Sequence, residues 1–406
     1  MAWHRSWLVF LVWLVVLPAQ AQDDASTRLK AQLARVQTLR AQRPGDGLLV
    51  YYEAMTLANL GEKVQALTAL RSLQGRRLGL VPAPASGWDS LWQDADFQAV
   101  RASLEAEEPS TAVAPMALRM QDPKLIPEGV AHDARTRRFF VGSVAQHKIV
   151  VVDARSRSRD FSVASDRLDA VLGLAVDERR RALYAVSTNA LQATGARQPR
   201  NAVVRYDLRS GKLAARYEVS EAKQLNDVAL AADGTAYVTD SAAGSLYRLR
   251  AGESAFSRIG EVGALRGANG VTVAPDDTLY VTLSTGIARV RPDNQQFERL
   301  AQPDTVVTGG IDGLYWYRGD LLGIQNTSNP GRVVRIHLAP DGGSIVGLTV
   351  LQSHHHPAFA EPTTGALVGD TLYVIANSHF GRYQGDGSMT DAATLQPTVL
   401  LAVPLR

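Results

Sequence analysis

Four residues with side-chain oxygens, Glu128, Asn226, Asn269 and Asp312, occupy the same place in successive copies of one repeated phrase. GVAHDARTRRFFVGSV follows Glu128, DVALAADGTAYVTDSA follows Asn226, GVTVAPDDTLYVTLST follows Asn269 and GLYWYRGDLLGIQNTS follows Asp312. Two further copies, GLAVDERRRALYAVST and TGALVGDTLYVIANS, follow Leu172 and Thr363. Two carboxylates and two amides, without sulfur or imidazole, form a hard, doubly anionic donor set. Such a set suits a divalent cation, and Ca²⁺ best, because Ca²⁺ accepts roughly six to eight oxygens in loose geometry. Mg²⁺ asks for a tighter octahedron, and Zn²⁺ for His or Cys. The competing reading is that these residues satisfy backbone groups at turns, as Asn and Asp commonly do.

For the four to meet, the chain must bring distant segments to one axis. Each phrase reads as a short apolar strand, a polar turn and a second apolar strand. The copies start at 128, 172, 226, 269, 312 and 363, spaced by 44, 54, 43, 43 and 51 residues. That is the period of a four-stranded propeller blade. Equivalent positions in a ring of blades are equidistant from its axis, so the four donors are expected to converge on a central channel. Leu172 and Thr363 then form its less polar side. The expected fold is mainly β: a six-bladed β-propeller over 116–406, preceded by a small all-α domain. Met116–Met120 and Thr398–Leu405 also read as strands, and the two ends are expected to complete one blade together, hiding the open edges.

Residues 1–21 read as a secretory signal: His4 and Arg5, an apolar run from Trp7 to Leu17, then Ala19-Gln20-Ala21 as cleavage site. The run is shorter than the ~20 residues of a membrane span, and the expected location is periplasmic or secreted. With no Cys among 406 residues, stability cannot come from disulfides. Lys and Arg number 43 against 40 Asp and Glu, without a basic stripe or a stacking motif, which excludes a nucleic-acid role. Arg135, Arg137, Arg138 and Arg179 to Arg181 fall in inter-strand turns, where solvated charge is expected.

Over 22–106 the spacing turns helical. Leu29, Leu33, Val36 and Leu39 recur at three and four residues until Pro44-Gly45-Asp46-Gly47. In 51–73, Ala54 and Ala66 flank Gly61 and let two antiparallel helices approach closely. The segment resembles one tetratricopeptide unit, which needs a neighbour to cover its faces. Trp88, Trp92 and Phe97, the propeller or a partner protein are the alternatives. EEPSTAVAP at 107–115 reads as the linker.

The ordered pairs Glu128-Gly129, Asn226-Asp227, Asn269-Gly270 and Asp312-Gly313 resemble the gluconolactonase/regucalcin (senescence marker protein-like) family over about residues 117–406. The resemblance implies that Glu128, Asn226, Asn269 and Asp312 hold one catalytic divalent cation and that Asp227 lies beside it, touching water or substrate. It implies an exported Ca²⁺-dependent hydrolase of a lactone or related ester. Asp227 is preferred to Glu128 as general base, since Glu128 is committed to the ion. Thr363 and His379 are expected to approach the substrate, His147 to face solvent, and His354 to His356 to lie in a surface loop. Two departures bear on the substrate: Gln224-Leu225 stands where sugar-lactone hydrolases carry Arg-Pro, and Gly313 where paraoxonases carry Asn. The alternative function is a non-catalytic ligand- or protein-binding propeller with a structural cation and the helical segment as docking surface. A strictosidine-synthase-like condensing enzyme shares the ring but uses a channel Glu.

Overall fold

The computed structural model describes residues 19–84, 86–191, 199–326 and 330–406. Its larger part is a ring of six four-stranded antiparallel sheets. Their first strands are Pro127–Asp133, Ala170–Asp177, Leu225–Leu230, Val271–Val273, Ile311–Tyr317 and Gly365–Val368. Each repeated phrase therefore supplies the first two strands of a blade, numbered 1 to 6 in that order. First strands of successive blades touch one another and so line the axis. Blade 6 takes its two outer strands from opposite ends of the ring: Met116–Arg119 pairs antiparallel with Val399–Pro404. The expected closure is thus present, and it removes the free edge that an open ring would expose.

The ring is held by apolar layers between blades. In the second strand of blade 2, Leu183 and Ala185 pack toward blade 1 with Phe140 and Val151, while Tyr184 and Val186 pack toward blade 3 with Val228 and Val238. Alternate side chains point to opposite faces of a strand, so a strand covered on both faces must be apolar throughout. Each such buried Leu or Val contributes roughly 1.5–3 kcal/mol.

The rim opposite the blade starts carries the first hairpin turns, and here the arginines divide. Arg135, Arg137 and Arg138 are exposed, as expected of turns. Arg181 is instead buried, and its guanidinium grips Asp133 of blade 1 at both oxygens, 2.6 and 2.7 Å. Arg180 bonds Asp177 at 3.0 Å and reaches Asp233 O of blade 3. These two side chains staple three blades together.

Four helices, α1 (Ala19–Gln42), α2 (Gly47–Asn59), α3 (Lys63–Arg71) and α4 (Ala95–Ala106), precede the ring. Residues 1–18, most of the expected leader, lie outside the described residues. No described helix is long and apolar enough to cross a membrane. Asp46 caps α2 by accepting from Leu48 N, and Asp94 caps α4 by accepting from Phe97 N. Ala54 and Ala66 are wholly buried where α2 meets α3, and Gly61 makes the turn at φ 83°. Trp88 and Phe97 stack at 5.5 Å in the same core, and Val307 of the ring joins it.

This helical segment rests on the rim where blades begin. Tyr52 Oη donates to Ser284 O at 3.1 Å, and Arg76 donates to Asp304 O at 3.0 Å. The central pin is Arg332, buried to 3% exposure at the start of the third strand of blade 5. It donates to Gln325 Oε1 at 2.7 Å and to Leu78 O at 3.2 Å, and pairs with Glu108 at 3.5 Å. A buried guanidinium needs this many acceptors, and they come from both parts of the chain.

Candidate metal centre at the pore mouth

Each blade opens on a residue at the channel, followed by one pressed against the next blade. A Cβ on Gly129 would lie 2.0 Å from Leu172 O, and one on Gly270 would lie 2.2 Å from Asp312 O. The glycine after the donor is therefore a packing requirement in blades 1 and 4, where no side chain fits against the neighbouring inner strand. Blade 3 solves the same problem differently. Asp227 fills the place, accepting from Val228 N at 2.9 Å and from Val271 N of blade 4 at 3.0 Å. At the closing seam, Thr363 Oγ1 donates to Glu128 O at 3.2 Å, and Thr364 Oγ1 donates to the same oxygen.

Glu128 and Asp312, 7% and 5% exposed, lie within electrostatic range of each other. Asn269 lies against the Asp312 carboxylate and lowers its pKa. Asn226 Nδ2 donates to Ser241 Oγ at 2.8 Å, and Ser241 in turn donates to Ala268 O beside Asn269. That order of donors fixes the Asn226 amide, leaving its oxygen as the available acceptor. Asn269 thus meets Asp312, Glu128 lies within electrostatic range of Asp312, and Asn226 reaches the Ala268 carbonyl through Ser241. Thr363 stands beside Glu128. His379 does not: its Nε2 faces the backbone O and N of Gln396, both at 3.2 Å, and the residue anchors the long connection that follows the second strand of blade 6. His147 is half-buried in the turn after the second strand of blade 1.

Two residues escape a reading confined to blade starts. Asn326, just after the second strand of blade 5, donates both amide protons, to Asp312 Oδ2 at 2.7 Å and to Pro362 O at 2.8 Å. Tyr315 Oη accepts from Gly365 N and stands within electrostatic range of Asp227, Asp312 and Glu128. The signal for Asn326 was available, since most copies of the phrase end on a polar residue where the second strand returns to the mouth.

Buried acceptors without donors mark this place. Glu128 Oε2, Asp312 Oδ1 and Asn326 Oδ1 are inaccessible to water and have no hydrogen-bond partner among the described residues. An unpartnered buried carboxylate oxygen costs several kcal/mol, so it calls for a proton or a cation. Burial, then the charges of Asp312 and Asp227, raise Glu128 well above the usual carboxylate range. Burial pushes Asp227 up to about 7 against its two backbone hydrogen bonds, and Asp312 up to about 6 against its amide bonds. The donors are all oxygen, three of the groups are acidic, and the orphaned atoms are anionic or amide. This chemistry fits one hard divalent cation.

Neither a protein-family model nor a curated protein matches this chain. Solved structures of similar form include the PQQ-bound aldose sugar dehydrogenase of Streptomyces coelicolor, at 15% identity and TM-score 0.48 over 72% of this chain and 98% of that one. A gluconolactonase of Xanthomonas campestris is similar at 17% identity and TM-score 0.47, over 73% and 97%. Virginiamycin B lyase of Staphylococcus aureus is similar at 11% identity and TM-score 0.44, over 71% and 98%. Likeness at this level concerns the ring alone.

Proposed function

We propose that the pore mouth holds one divalent cation, Ca²⁺ in preference, among Glu128, Asn226, Asn269 and Asp312, and that the protein is an exported hydrolase of a lactone or related ester. The observation that carries this reading is the pair of buried, partnerless carboxylate oxygens, Glu128 Oε2 and Asp312 Oδ1. A cation bound there would polarise the substrate carbonyl and stabilise the developing oxyanion. Asp227 is the proposed base. Its pKa of about 7 suits proton abstraction near neutrality, and its two backbone hydrogen bonds fix the carboxylate's orientation. Tyr315 accepts from Gly365 N, so its own hydroxyl proton remains to be donated to a leaving oxygen.

Elemental analysis of the purified protein, followed by a lactone and aryl-ester panel before and after chelation, tests the reading. Turnover is expected with Ca²⁺ and not with chelator, and Asp227→Asn is expected to retain the ion while losing turnover. Full turnover in Asp227→Asn refutes the base assignment, and a metal-free active protein refutes the mechanism. A specific observation supports a second reading. Both Asp227 oxygens tie blade 3 to itself and to blade 4, which makes the residue a latch in a non-catalytic ligand-binding ring with a structural cation. In that case Asp227→Asn lowers the melting temperature and no ester is turned over by the parent protein.

A further inference from the structure

A second group of metal-binding side chains lies far from the pore, where the helical segment meets the ring. Glu105, in the last turn of α4, faces His354 and His355, which follow the outer strand of blade 5. His354 Nε2 lies 2.5 Å and His355 Nε2 3.8 Å from Glu105 Oε1. One ligand atom from each residue falls within 4.8 Å of the others. The two imidazole rings sit 4.1 Å apart, centroid to centroid. The third histidine of the run takes no part: His356 Nε2 donates to Ala114 O at 3.0 Å, and its Nδ1 accepts from Ala358 N at 3.1 Å.

His355 Nδ1 lies 3.0 Å from Ser353 Oγ, which itself accepts from Thr111 N at 2.9 Å. This contact holds the ring with Nε2 turned toward the Glu105 carboxylate. An outer hydrogen bond on one ring nitrogen, with the other free, is the arrangement that orients histidine ligands in metal sites.

We propose that Glu105, His354 and His355 bind Zn²⁺, and that the ion fastens α4 to the ring. Two imidazoles and a carboxylate match zinc in donor type, and the fourth position opens to water, since the three side chains are 19–30% exposed. A tetrahedral ion with bonds of about 2.0–2.1 Å needs ligand atoms about 3.3 Å apart. His354 and Glu105 separate slightly to reach that spacing, and His355 closes slightly. Zinc here and a hard cation at the pore are independent, since the two sites share no residue and differ in donor chemistry.

The test uses untagged full-length protein, with Zn²⁺ titrated against a chromophoric chelator in excess Ca²⁺ so that the pore is occupied by its own ion. One Zn²⁺ per chain is expected. His354→Ala, His355→Ala and Glu105→Gln should each weaken it by more than the roughly 10–100-fold that losing an outer hydrogen-bond partner costs. Asp312→Asn should leave it unchanged. Cu²⁺ bound in place of zinc should show two equatorial nitrogens by electron paramagnetic resonance, and Zn²⁺ should raise the melting temperature of the parent but not of His355→Ala. Equal Zn²⁺ affinity in the parent and His355→Ala, loss of binding in Asp312→Asn, or a copper spectrum without two nitrogens would overturn the proposal. Glu105→Gln preserves size and packing, so it decides the matter even if an alanine variant unfolds.

Discussion

The strand Pro127–Asp133 carries an acid near each end, and the two are in opposite states. At the mouth, Glu128 is buried with an oxygen that has no hydrogen-bond partner among the described residues, and its pKa is raised. At the far rim, Asp133 is equally buried, but the hydrogen bonds and charge of Arg181, together with Thr136, outweigh burial and hold it well below the usual carboxylate range. Burial pushes both carboxyls up; the partners push them in opposite directions. One rim is completed by the protein's own cations, whereas at the mouth no described cationic side chain bonds the Glu128 or Asp312 carboxyl. The unpaired acid at the mouth is the group that the proposed cation would neutralise.

The contrast can be broken at either rim. Arg181→Ala leaves Asp133 buried without its cation, and chemical denaturation should show a loss of roughly 3–5 kcal/mol. At the mouth, Ca²⁺ at 100 to 1,000 times its dissociation constant should raise the unfolding free energy by about 3–4 kcal/mol, a gain that Glu128→Gln and Asp312→Asn abolish. A Ca²⁺ response that survives both substitutions would place the ion elsewhere. The cation-free protein should also show a pH dependence opposite to ordinary acid denaturation. Asp312 and Asp227 have folded pKa values of about 6 and about 7, above the ordinary 3.8. The folded state then binds more protons than the unfolded chain between these values. Stability is highest at low pH and falls as pH rises through about 6 and then about 7. Saturating Ca²⁺ should flatten that slope, as melting curves from pH 5 to 8 would show. The smallest effect is expected for Arg180→Ala, whose half-exposed partnership with Asp177 should change stability by about 0.5–1 kcal/mol.

Much of this was legible because the chain repeats itself. Period-two apolar runs separated by polar turns specify hairpins, and six of them at blade spacing specify a ring; the strand at Met116–Arg119 could be assigned to the last blade because a ring must close. The arginines were harder. Arg135 and Arg181 occupy similar turns, and only the neighbouring blade decides that Arg181 is buried against Asp133 while Arg135 stays in water. Asn326 was hidden by its place at the end of a second strand, and His379 reads as a channel residue until its ring is seen to face Gln396. His354 and His355 read as a surface loop because their partner, Glu105, belongs to a helix some 250 positions earlier.

By itself the sequence determined the ring, the helical segment before it and the side chains that begin each blade, because hydrophobic period and repeat length are local properties that no other fold satisfies as well. The tertiary structure alone decided which acids are paired and which are orphaned, and which histidines meet a carboxylate. Those outcomes depend on distances between segments far apart in the chain, and burial multiplies the consequence of every such distance.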